Sequence, residues 1–356
     1  MEYIDVELTE HASKEAAFIE MEKVQSLAKV WLPLLLNAFV NTHSSKRSTL
    51  QVAISSYACI CGKDVLKAVF KSAISRLMNI GNQIKTGELG RDAVLDGGDT
   101  DTERFCTYLE AIYCLLGGIH AEGVKLVYTV IHNGFQGKEP SVQKKSYKIL
   151  NYIIDDRPDV LSEPKFFEEL LDDLLEGSKT AVSASRGFRI KCLKSTIVLL
   201  IHGSGENINL NNIRGVLESE AKHPLGSEPV AVVMMPMISE IILSIKESNK
   251  KTRAAAFDLL VEVGKELEQK DPEQGLVWLV NMVLGGLAGS TSQMVSASVM
   301  ALARLLFEFS PAIMPMVHDL ISAIVMLLRS KAREVIKAVL GFLKVCPLIS
   351  CHSILR

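Results

Sequence analysis

At 356 residues, 48% of them apolar and with only 23 Gly and 11 Pro, the chain carries too much apolar surface to stay disordered; its length suits two or three domains or one elongated array. Its 39 basic and 41 acidic residues leave a formal net charge of −2. That balance excludes a uniformly basic nucleic-acid coat but not a local basic stripe, because the field depends on where charges sit.

The first residues, Met1-Glu-Tyr-Ile-Asp-Val-Glu, are acidic and lack an apolar signal core. The longest apolar runs are broken by Asn37, by Asn281, and by His318 with Asp319, so none reads as a membrane-spanning helix and no membrane partner is expected. Strand signals are almost absent. Apolar residues recur at helical spacing instead: Val295, Val299, Leu302, Leu306 and Phe309 line one face, and Val335, Val339 and Phe342 repeat the pattern beside Ile336, Leu340 and Leu343. Stripes this broad predict that each helix touches more than one neighbour.

Several predicted helices begin alike, with a basic or polar residue ahead of an Ala- and Leu-rich run. Taking Arg47, Phe105, Lys145, Arg189, Arg253, Gln293 and Arg333 as anchors gives steps of 58, 40, 44, 64, 40 and 40 residues. The two long steps contain polar, Gly-rich insertions near 81–103 and 203–228; the others match a two-helix unit of about 40–47 residues. Pro33, Pro236 and Pro315 fall in the preceding helices, where a kink is tolerable. The sequence therefore predicts an all-α protein: an α-solenoid of HEAT/armadillo-like helical hairpins, roughly seven repeats, one array over 1–356 in a right-handed superhelix. Thr86–Glu103 reads as an acidic loop. The end, Cys346-Pro-Leu-Ile-Ser-Cys-His-Ser-Ile-Leu-Arg356, lacks a polar capping helix, which predicts an exposed apolar face and a fragment of a longer array.

No catalytic constellation emerges. In Gly177-Ser-Lys-Thr180, Ser178 separates Gly from Lys and the upstream Gly of a phosphate loop is missing. Asp96, Asp99 and Asp101 lack the twelfth-position Glu of a calcium loop, since Thr107 stands there. The seven cysteines (Cys59, Cys61, Cys106, Cys114, Cys192, Cys346 and Cys351) form no C-x-x-C pair, which favours a reducing compartment and buried structural thiols. Cys59 and Cys61 point about 200° apart on a helix, so they do not converge on one ion. Neither metal, cofactor nor small-molecule substrate is expected.

What remains is charge arrangement. Basic residues gather at the starts of the second helices of several repeats, and in a stacked array these starts share an edge. Lys144, Lys145, Arg189, Lys191, Lys250, Lys251, Arg253, Lys331 and Arg333 are the candidate RNA- or partner-binding ridge. Lys46, Arg47, Lys148, Arg186, Lys194, Arg329 and Lys337 flank it, and residues 150–176, with nine acidic and two basic side chains, form an acidic counterpart. Aromatics are sparse and not interleaved with these bases, so the expected RNA contact is to phosphates rather than to stacked bases.

Five stretches carry a resemblance: Gln143-Lys-Lys-Ser-Tyr-Lys-Ile-Leu, Ile238-Ser-Glu-Ile-Ile-Leu-Ser-Ile-Lys-Glu, Arg253-Ala-Ala-Ala-Phe-Asp-Leu-Leu-Val-Glu-Val-Gly, Ala301-Leu-Ala-Arg-Leu-Leu-Phe-Glu-Phe and Arg333-Glu-Val-Ile-Lys-Ala-Val-Leu-Gly-Phe-Leu-Lys-Val. From about residue 140 to 345, and more weakly over the earlier repeats, the chain resembles the HEAT-repeat ribosomal RNA-processing protein twelve family; beyond 345 it departs from the pattern. The resemblance implies a non-enzymatic, karyopherin-like scaffold in small-subunit ribosomal RNA processing and in maturation and nuclear export of the pre-ribosome. It implies pre-ribosomal proteins and pre-rRNA as partners, with a Ran-type GTPase or export machinery beside them. It also implies a nuclear and nucleolar location with shuttling to the cytoplasm, and no catalytic residue. The competing reading is a karyopherin-like transport receptor or signalling scaffold that binds protein cargo.

Overall fold

The computed structural model describes residues 23, 25–86, 100–137, 139–202 and 229–354, and among them all regular structure is helical, with no strand. The chain divides into two compact units, Met1–Gly134 and Phe135–Arg356. The expected insertion at 203–228 and most of the acidic loop, with Asp96 and Asp99, lie outside the described residues.

The first unit contains α1 (Gln25–Val40), α2 (Ser48–Ile60), α3 (Lys63–Thr86) and α4 (Asp101–Leu115), with α5 (Ala121–Gln136) leading to the boundary. Helix α3 runs on to Thr86, where the sequence suggested a loop from 81. Helix α4 begins with a capping box: Thr100 Oγ1 accepts from the Glu103 amide (3.2 Å), and the Glu103 carboxylate accepts from the Thr100 amide (2.9 Å). It packs against α2 and α3, burying Leu109, Ile112 and Leu115. Arg47, expected at the surface, is buried: its guanidinium donates to Thr42 O (2.6 Å) and Thr107 Oγ1 (3.0 Å) and pairs with Glu110 (3.3 Å). The first turn of α2 thereby ties itself to α4.

The second unit contains α6 (Pro140–Asp156), the single turn α7 (Pro158–Leu161), α8 (Pro164–Glu176), α9 (Ser183–Ile201), α10 (Pro229–Ser244), α11 (Lys250–Lys270), α12 (Gly275–Gly285), α13 (Ser292–Glu308), the single turn α14 (Ser310–Ile313), α15 (Val317–Val325) and α16 (Arg333–Ile354). Proline at the first helical position opens α6 and α8, where its missing N–H costs nothing. Side-chain caps open α11 (Asn249) and α13 (Thr291). Helices α6, α9, α11, α13 and α16 form a row in which each packs on the next. Helices α10, α12 and α15 pair with members of that row as hairpins. This is the α-solenoid arrangement of HEAT/armadillo-like helical hairpins.

The predicted stripe of α13 is inward: Val299, Leu302 and Leu306 are buried, and the helix touches α10, α11, α12 and α16, as its breadth required. Val335, Val339 and Phe342 of α16 are buried too, while Leu340 is exposed together with Phe307, Val325, Met326 and Leu328. Pro236 lies inside α10, but Pro315 sits in a 3₁₀ turn, Met314–Met316, that separates α14 from α15 rather than kinking one helix. By length and composition Ser310–Arg329 is apolar enough to cross a membrane, with a mean hydropathy of 1.8 and 17% of its most apolar window buried. Two 3₁₀ turns, Met314–Met316 and Met326–Arg329, interrupt that stretch, and His318 and Asp319 are exposed on it.

Candidate nucleic-acid interface

The predicted ridge residues separate into two groups once the helices are packed. Arg189 is the clear correction. It is fully buried, and its guanidinium is consumed inside the unit. Nε and Nη2 make a two-pronged pair with Glu240 of α10 (2.6 and 2.7 Å), Nη2 also reaches the Leu174 carbonyl of α8 (2.5 Å), and Nη1 donates to the Tyr147 hydroxyl of α6 (3.0 Å). Four helices meet at this one side chain. Burial alone would depress its pKa; the Glu240 carboxylate outweighs that and holds the guanidinium charged beyond the usual arginine range. Burial also raises the Tyr147 pKa, so the ring stays a neutral donor and acceptor stacked on Phe135 (5.0 Å).

The same hub explains Gly177-Ser-Lys-Thr180. A Cβ on Gly177 would lie 2.6 Å from Arg189 Nη1 and 2.8 Å from the Tyr147 hydroxyl. Thr180 Oγ1 donates to the Phe135 carbonyl (3.2 Å). Beside it, fully buried Gln143 donates to the carbonyls of Phe135 (2.9 Å) and Thr180 (3.0 Å) and accepts from the Val182 amide (2.8 Å) and the Ser185 hydroxyl. These residues close a turn between repeats. The glycine is there for close approach, not to cradle phosphate.

Arg253 is half-buried and donates to the carbonyls of Glu247 (2.6 Å) and Ser248 (2.7 Å), bracing the turn before α11. Arg186 pairs with Glu247, and Lys194 with Glu262 (3.1 Å). Lys145 is half-buried and engaged within the fold.

Lys144, Lys191, Lys250, Lys251, Lys331 and Arg333 form the second group: all are exposed, and among the described residues none pairs with a carboxylate. Lys250 and Lys251 are the first residues of α11 and Arg333 the first of α16, while Lys331 lies just ahead of α16. Cations at a helix start oppose its dipole, so these positions contribute surface charge rather than helix stability. Acidic α8 turns Phe166, Phe167, Leu170, Leu171 and Leu174 inward and leaves Glu169 and Glu176 exposed.

Packing also creates what the sequence did not suggest. Half-buried Phe188 of α9 lies between two of the unpaired lysines, with Lys144 Nζ 5.9 Å and Lys191 Nζ 5.8 Å from its ring centroid. The signal was one repeat step: Lys144 precedes Phe188 by 44 residues, the anchor spacing between α6 and α9. Cys106, Cys114 and Cys192 are buried as expected, but Cys59 is exposed and Cys61 and Cys346 are half-buried. Among the described residues no three His, Cys, Asp or Glu side chains gather as a metal site would require.

A stack of helical hairpins, each packed on its neighbours, defines a helical-repeat protein. The particular likeness is to ribosomal RNA-processing protein 12 of Saccharomyces cerevisiae, 21% identical over 343 residues (91% of this chain, 25% of that protein). It extends to the RRP12-like proteins of Gallus gallus (27% over 340 residues; 93% and 23%) and Homo sapiens (27% over 334 residues; 91% and 22%). The chain spans about a quarter of the length of these relatives. No protein-family model matches it. Solved structures with partial likeness include an engineered protein (TM-score 0.35, 14% identity, 70% of this chain and 93% of that one). Another is the Pds5-Scc1 complex (TM-score 0.25, 12% identity, 76% and 47%).

Proposed function

We propose that this chain is a non-enzymatic helical-repeat scaffold in ribosomal RNA processing, acting on the small-subunit precursor in the nucleus and nucleolus. It holds pre-ribosomal proteins and RNA along its charged helix edge and moves with the particle towards export. One observation carries this reading: similarity to ribosomal RNA-processing protein 12 and RRP12-like proteins from yeast to human, running through 91–94% of the chain. The exposed lysines Lys144, Lys191, Lys250, Lys251 and Lys331, with Arg333, agree with it, since unpaired surface cations attract phosphates.

Sedimentation of cell extract on a sucrose gradient, with and without ribonuclease, tests the proposal. Co-migration with small-subunit precursors, and release by ribonuclease, is the expected result. A chain that stays at the top of the gradient, or that releases protein cargo on adding a GTP-loaded Ran-type GTPase, would instead favour the transport-receptor reading.

A further inference from the structure

We propose that Lys144, Phe188 and Lys191 form a binding site for single-stranded RNA, with phosphates held by the two lysines and an unstacked base resting against the ring. The inference rests on the RNA-processing reading and narrows it to three side chains on two packed helices.

The argument begins with charge. Helix α6 places Lys144 and helix α9 places Lys191 so that both ammonium groups converge on one ring, at 5.9 and 5.8 Å from its centroid. Neither lysine pairs with a carboxylate among the described residues, and both are exposed. Nearby cations are quieted by partners: Arg189 by Glu240, Arg186 by Glu247, Lys194 by Glu262. Each ammonium group lies at the ring without a carboxylate of its own, so anionic groups that reach the ring meet a positive charge there.

The ring decides the kind of anion. Phe188 is only half-buried, although its helix neighbours Arg189 and Ile190 are fully buried. An acidic peptide gains from the two ammonium groups but has no use for an aromatic face. A nucleotide uses both: its phosphate meets the lysines, and its base stacks on the ring or beside the cations that already sit over it. Duplex RNA hides its bases in the stack and presents backbone alone. The site therefore selects unpaired RNA. Lysines bind phosphate as point charges without reading base edges, so little sequence preference is expected.

The test is fluorescence anisotropy of the full 356-residue chain with a labelled single-stranded oligouridine, across a salt series. Replacing Lys144 and Lys191 together by Gln is expected to reduce the slope of log K against log salt by about 1.4, at roughly 0.7 per phosphate on a single strand. Phe188→Leu keeps an apolar side chain in the half-buried position and removes the aromatic face. It is expected to weaken single-strand binding about tenfold with the salt slope unchanged, and to leave duplex binding unaltered. Circular dichroism melting confirms that both variants fold.

Wild-type binding that neither change weakens places the RNA contact elsewhere and overturns this site, while the wider reading stands. Competition by polyglutamate as effective as by RNA also overturns it, identifying an acidic-peptide surface. If the purified chain ignores oligouridine yet co-sediments with pre-ribosomes, its contacts run through protein: the site fails and the scaffold survives. Failure of the scaffold reading itself shows in the gradient, not in this assay.

Discussion

Arg189 should behave as a buried structural charge, and a double-mutant cycle with Glu240 tests this directly. Arg189→Met removes a guanidinium that makes four hydrogen bonds and leaves the Glu240 carboxylate facing the packed helices. Breaking a buried pair from one side costs about 3–5 kcal/mol. The Glu240 side chain is 18% exposed and can still turn towards water, so the loss should fall near the lower figure, about 3 kcal/mol. Glu240→Leu should be worse, near 5 kcal/mol, because the Arg189 side chain is 0% exposed and has nowhere to take its charge. Replacing both removes the orphaned charge altogether. The double variant should then lose about 3 kcal/mol less than the sum of the two single losses, the residual cost being the unpaired Leu174 carbonyl and Tyr147 hydroxyl. Urea denaturation followed by far-ultraviolet circular dichroism measures all four corners. Simple additivity, or an Arg189→Met loss below about 0.5 kcal/mol, would refute the reasoning and return Arg189 to the surface ridge.

Other consequences are equally direct. Gly177→Ala should destabilise by about 1–3 kcal/mol, since the new methyl meets Arg189 Nη1 and the Tyr147 hydroxyl; a neutral result in the same urea assay would mean that the turn has room to relax. Thr100→Ala should cost about 1 kcal/mol by removing the α4 cap, read as a lower denaturation midpoint. Hydrogen bonds from Thr100 hold the Glu103 carboxyl below its ordinary pKa, so Glu103 contributes stability above the usual carboxylate range and loses it as the pH falls through the folded pKa. The gap between wild type and Glu103→Gln should therefore shrink in acid; a gap constant down to pH 3 would contradict the cap. Lys250→Glu with Lys251→Glu places acids in the first turn of α11 and should leave stability unchanged or raise it by about 0.3–1 kcal/mol while weakening RNA binding. Arg253→Glu should instead lower stability, because that guanidinium braces the Glu247 and Ser248 carbonyls.

The helical character and the period were legible from the residues alone. Spacing of apolar side chains fixes which face of a helix leaves water, and that requirement is local. Thus Val299, Leu302, Leu306, Val335, Val339 and Phe342 could be placed inward before any contact was known. The anchors at Lys145, Arg189, Arg253, Gln293 and Arg333 each fall within the first two turns of α6, α9, α11, α13 and α16. Side-chain fate was a different matter. Arg189 and Lys191 are two residues apart on one helix, yet one is sealed among four helices and the other is in solvent. Nothing within the α9 sequence marks that difference; it depends on Glu240, Leu174 and Tyr147 arriving from elsewhere in the chain. Likewise Phe188 sits beside Arg189 in sequence but acquires its second lysine from α6. Periodicity reports which way a side chain faces, whereas burial of a charge is decided by whether distant partners compensate its lost hydration, and only the packed structure assembles those partners.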